Sequence, residues 1–153
     1  MPAVSRERVG ASRAEGCGIA LERDEAALAG RFEAADFHLG SLRPDFTGIV
    51  VPSKFFAALA VARPFIFAGR SDAAIARWIR EHDVGFELTP GAADAVAERL
   101  VALKDAPAAL RATRANALAT YRRSFSKALI NDRWAALLAE TVAAKSQTVS
   151  VTK

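Results

Sequence analysis

Cysteine and histidine are scarce in this chain: one Cys and two His in 153 residues. The single thiol, Cys17, cannot close an internal disulfide, so nothing argues for a secreted, disulfide-stapled fold. It has no histidine beside it to activate a thiolate. His38 and His82 stand far apart with no zinc-type spacing, and no metal or cofactor is expected. Neither charge sign dominates. Twenty-one Lys and Arg against seventeen Asp and Glu give a net +4, which permits an anionic ligand without demanding one. With 52% hydrophobic and 25% charged residues, the composition excludes disorder, collagen-like repeats and a coiled coil as global readings. The first residues carry Arg6, Glu7, Arg8 and Arg13 rather than the apolar core of a signal peptide. An uninterrupted membrane-spanning run is also lacking. Residues 49–69 are long enough, but Lys54 and Arg63 would each cost roughly 2.5–3.5 kcal/mol near a bilayer centre. Pro52 and Pro64 divide the stretch further, so it reads as buried core.

At 16.3 kDa there is room for one domain with a real core. Residues 1–20 show neither helical nor strand periodicity and read as an irregular leader. Residues 21–145 form the domain, and 146–153 a polar, frayed tail. Asp24 can cap a helix that runs to Ala35, with Leu28 and Phe32 one turn apart on its apolar face. Residues 36–42 read as a strand. Pro52 and Ser53 open a helix whose Phe55, Phe56, Leu59 and Ala60 are apolar around most of its circumference. Pro64-Phe-Ile-Phe-Ala68 is a continuous apolar run, the signature of a parallel strand covered on both faces. Ser71 and Asp72 open a helix carrying Ile75, Trp78, Ile79 and His82 on one side. Residues 84–88 are a third strand, closed by the turn Thr89-Pro-Gly91. Helices marked by Val96, Leu100 and Leu103, by Pro107, and by Ile130, Trp134, Leu137 and Leu138 complete the chain. The expected fold is α/β: a partial Rossmann-like domain with a parallel sheet of about three strands flanked by helices, ending in C-terminal helices.

In open parallel sheets ligands sit outside the carboxyl ends of the strands. Here that rim comprises residues 41–51, 69–72 and 89–91. Its most suggestive piece is Gly48-Ile-Val-Val-Pro-Ser-Lys54, a glycine turn leading to a helix start. Backbone N–H groups and a positive dipole end favour a phosphate there, and Lys54 adds a full charge. The bland alternative is that Ser53 caps the helix and Lys54 points to water.

This stretch carries a family resemblance. Ala34-Ala-Asp-Phe-His-Leu39, Pro52-Ser-Lys54, and Ala58-Leu-Ala60 with Arg63-Pro64 resemble the donor-binding half of GT-B glycosyltransferases, most closely family 4-like enzymes that assemble polysaccharides. Asp83-Val-Gly85, Thr89-Pro-Gly91, Leu103-Lys-Asp-Ala-Pro107 and the ending from Phe125 through Trp134 to Leu138 follow in the same order, so the likeness spans residues 28–140. It implies a nucleotide diphosphate sugar as donor substrate, with transfer of the sugar to an acceptor hydroxyl. It also implies that Gly48, Ile49, Val50, Ser53 and Lys54 hold the diphosphate, with Ser41 on the pocket rim. A leaving diphosphate gains charge in the transition state, and preorganised donors aimed at it lower the barrier. The chain departs from the family pattern in two ways. The glutamate pair of many members is absent, Ala57 and Thr47 or Ile49 standing near those positions, and Ala62 replaces the glycine before Arg63-Pro64. The resemblance reaches neither an acceptor domain nor the first donor-domain strands, so catalysis by these residues alone is not expected. A separately encoded N-terminal half, or self-association, is the implied partner.

Other residues are assigned to structure. Ser41, His38 and Asp36 lack the nucleophile elbow a serine hydrolase needs. Trp78 and Trp134 fall on apolar helix faces and are expected in the core. Arg111, Arg114, Arg122, Arg123, Lys127 and Arg133 are diluted by Asp105, Asp132 and Glu140, which favours a solvated face over a nucleic-acid surface. The expected location is cytoplasmic, with at most peripheral membrane contact. The rival to donor binding is a non-catalytic α/β module that pairs through an exposed sheet edge.

Overall fold

The computed structural model describes residues 28–150, and the side chains of residues 29–144. The leader, Cys17 and the Asp24 cap lie outside the described residues.

The chain runs α1 (Leu28–Ala34), β1 (His38–Ser41), α2 (Lys54–Ala60), β2 (Phe65–Ala68), α3 (Ala74–His82), β3 (Gly85–Glu87), α4 (Ala93–Lys104), α5 (Pro107–Thr120) and α6 (Lys127–Ser150). A short 3₁₀ turn occupies Pro44–Phe46, and a π-helical turn, Tyr121–Phe125, links α5 to α6. The three strands form one parallel sheet in the order β1-β2-β3. His38 pairs with Phe65, and Phe65 in turn with Gly85. With strands in sequential order and right-handed crossovers, successive connecting helices fall on one face. The α/β architecture read from the sequence is the one observed.

Alternation along β2 separates two cores. Phe65 and Phe67 point to the face covered by α2, α3 and α5, where they pack with Phe55, Leu59, Ile75, Ile79 and Ala117. Ile66 points the other way, joining Phe86, Val96, Leu100 and Leu103 beneath α4. Burying a Phe side chain contributes about 1.5–3 kcal/mol, so the fully covered Phe55, Phe65 and Phe67 anchor the larger core. Trp78 stacks on Phe55 at 5.8 Å and meets Phe125 at 4.9 Å. The widened π-helical turn delivers Phe125 to this cluster.

Two groups hold α1 against the sheet by satisfying carbonyls of its last turn, which have no helical partner. The Arg63 guanidinium donates to the Glu33 carbonyl through Nε (3.1 Å) and Nη2 (2.6 Å). The His38 ring lies against Phe32, with Nε2 2.8 Å from the Phe32 carbonyl, which gives this histidine a structural role.

Several boundaries correct the sequence reading. Ser71 and Asp72 do not open α3: its N-cap is Ala73, and Asp72 is engaged by Arg70 instead. The segment expected as a frayed tail is helical as far as Ser150. Trp134 is 58% exposed rather than buried, because α6 projects past the described core. Arg114 is no freely solvated surface charge: its side chain is 27% exposed and pairs with Asp36. No helix among the described residues is long and apolar enough to cross a membrane.

Candidate functional site at the carboxyl edge of the sheet

The strand ends deliver their loops to one side of the sheet. There Leu42 follows β1, Gly69–Asp72 follow β2, and Leu88–Gly91 follow β3. Together they line a cleft of about 830 Å³. Gly91 takes φ +81, a left-handed conformation that glycine adopts without a Cβ penalty. Among the lining residues, the solvent-exposed Arg70 and Asp72 form a two-pronged pair, Nε to Oδ1 at 2.8 Å and Nη2 to Oδ2 at 2.7 Å. The hydrogen bond from Arg70 holds the Asp72 carboxyl below its ordinary pKa, and the same bond raises that of Arg70. Behind them Arg80 fixes the loop, donating to the Ser71 carbonyl at 3.0 Å and to Glu87 at 2.6 Å.

A smaller depression of about 250 Å³ adjoins the cleft, sharing Leu42 and Asp72 with it. Gly48, Ile49 and Val50 line this depression, with Arg77 on α3 facing it. Gly48 has φ +86, as its turn requires. The backbone N–H groups of Ile49 and Val50 both donate to the Phe46 carbonyl, each at 3.1 Å. They are therefore spent inside the loop, and in this arrangement a diphosphate would have to be held by other donors. One is conspicuous: Thr47 Oγ1 is buried with no hydrogen-bond partner among the described residues. An unmade buried hydrogen bond costs about 1–3 kcal/mol, so a polar group entering here would meet a waiting hydroxyl.

Ser41, Ser53 and Lys54 converge on a third depression, of about 370 Å³, beside the outer edge of β1. Pro52 is common to it and to the Gly48–Val50 depression. Ser53 makes no side-chain cap hydrogen bond, so capping is not its function. Lys54 is exposed and forms no ion pair among the described residues. The residues singled out in the sequence thus lie along one rim but in two separate depressions. Sequence reasoning put residues 69–72 on the rim without singling out Arg70, and missed Arg77. The signal available for Arg70 was its position two residues past a buried strand, directly before Ser71-Asp72; Arg77 gave none.

Among the described residues no three His, Cys, Asp or Glu side chains gather as metal ligands. Compared with protein-family models, with curated proteins and with solved structures, the chain finds no match in any of the three.

Proposed function

We propose that this chain supplies the donor-binding part of a GT-B, family 4-like glycosyltransferase, taking a nucleotide diphosphate sugar at the carboxyl edge of its sheet. The observation that carries the reading is the convergence of all three strand-end loops on the 830 Å³ cleft, the position at which open parallel sheets bind ligands. Within the cleft Arg70 is neutralised by Asp72; the positive charge for an anion comes from the adjoining depressions, where Arg77 and Lys54 have no ion-pair partner among the described residues. The unpartnered Thr47 hydroxyl lies in the same depression as Arg77. Lys54 is the principal phosphate contact in this reading, with Ser53 beside it. Transfer to an acceptor hydroxyl needs a second domain facing the cleft, which the described residues do not form. Such a protein would work in the cytoplasm, at most peripherally on the membrane.

Exposed Leu39 favours a second reading. It lies on edge strand β1 and is 63% open to solvent, the condition in which an edge recruits another strand. The α/β module would then act by pairing rather than by binding nucleotide.

Amide chemical-shift mapping with UDP, GDP and a UDP-sugar separates the two. Donor binding predicts saturable shifts confined to Leu42, Thr47–Val50, Lys54, Gly69–Asp72, Thr89 and Gly91. Shifts absent at millimolar nucleotide contradict it.

A further inference from the structure

From residue 131 to residue 144 every side chain of α6 is exposed. Trp134, Leu137 and Leu138 are 58%, 53% and 58% open to solvent. With Ile130 they stand at i, i+4, i+7 and i+8, a single apolar stripe along the helix. The stripe does not end where α6 meets the body of the protein. Ile130 also lines an apolar groove of about 490 Å³, formed with Phe56, Ala60, Tyr121 and Phe125. Groove and stripe make one strip, and from Ile130 to Leu138 the stripe runs about 12 Å along the helix.

The charges beside the strip indicate what covers it. Arg133 and Glu140 are seven residues apart and so lie on the same flank of the stripe. Neither has a partner among the described residues. A second α6 laid antiparallel, with the twofold axis between residues 136 and 137, sets Arg133 against Glu140 of the second copy, and Glu140 against its Arg133. The surface is therefore complementary to itself, the condition for an isologous dimer. A parallel pair would put the two Arg133–Glu140 flanks on opposite sides of the seam, where they do not meet. The antiparallel register also carries the turn around Val142 of the second copy over the groove at Ile130 and Tyr121.

We infer that α6 is a self-association surface, on which a second copy of this chain docks its own α6 antiparallel, stripe to stripe and with reciprocal Arg133–Glu140 pairs. This does not depend on nucleotide binding, and it uses a different surface from the sheet edge.

Sedimentation equilibrium of the full chain, from about 1 to about 200 µM, tests it, since a small helix-pair interface belongs in the micromolar range. The expected mass rises from 16.3 kDa towards twice that value. Leu137→Asp, at an exposed position, holds the chain monomeric throughout with an unchanged circular dichroism spectrum. Arg133→Glu raises the dissociation constant about tenfold or more, and Arg133→Glu with Glu140→Arg restores it. A wild-type chain that stays at 16.3 kDa overturns the inference. A dimer indifferent to Leu137→Asp, or a double swap no better than the single change, also overturns it.

Discussion

Gly85 lies so close to Phe65 across the β2–β3 pair that a Cβ on it would fall 1.8 Å from the Phe65 carbonyl oxygen. The partner atom is backbone, so no side-chain rotation relieves the overlap. Gly85→Ala must separate β3 from β2 and withdraw Phe86 from the core beneath α4. The expected loss exceeds about 3 kcal/mol, or cooperative unfolding disappears, read by urea denaturation. Gly48→Ala is the contrast. Nothing lies within 4 Å of its Cβ position, so only the left-handed backbone is penalised, by about 1–2 kcal/mol.

Ala62 is the reverse case. Its φ is +57, directly after α2, where the Arg63 N–H reaches the Ala58 carbonyl at 2.9 Å and the Ala62 N–H reaches Leu59 at 3.1 Å. This is a Schellman ending with alanine in the place glycine usually takes. Relief of the left-handed penalty outweighs the extra chain entropy of glycine, so Ala62→Gly should stabilise by about 0.5–1 kcal/mol. Calorimetry should show a higher midpoint, and a lower one contradicts the assignment.

The Arg70–Asp72 pair has a pH consequence. The Asp72 carboxyl is held low in the folded chain chiefly by the hydrogen bond from Arg70. Its contribution to stability is therefore complete above its unfolded pKa and is lost as the pH falls through the folded one. Arg70→Ala should raise the Asp72 pKa towards its ordinary value, followed by carboxyl-carbon NMR titration. An unmoved titration curve would show that the pair does not form in solution.

The alternation of strands and helices was legible because the chain writes it in residue types. Pro64–Ala68 is apolar throughout since both faces of β2 are covered, and α3 has the periodicity of a helix buried on one side. Helix starts were less legible. Asp72 looks like a cap for α3, but a guanidinium two residues away competes for the same carboxylate and wins it. Trp134 shows why a stripe misleads: periodicity tells that a face is apolar, not that its cover lies within the described core. The rim of the candidate site followed from topology, whereas its donors did not. Whether Ile49 and Val50 offer free N–H groups depends on the Pro44–Phe46 turn, which no local pattern announces.

The central claim is that the rim holds a nucleotide diphosphate with Lys54 as its charge contact. Thermal unfolding of the chain and of Lys54→Ala, each with and without UDP and GDP, tests it most directly. Ligand at ten to a hundred times Kd adds about 1.4–2.7 kcal/mol, a rise of about 4–10 °C for a domain of this size. The account predicts that rise in the wild type for at least one nucleotide and its loss in Lys54→Ala. A midpoint that neither nucleotide moves, or a rise that persists undiminished without Lys54, contradicts it.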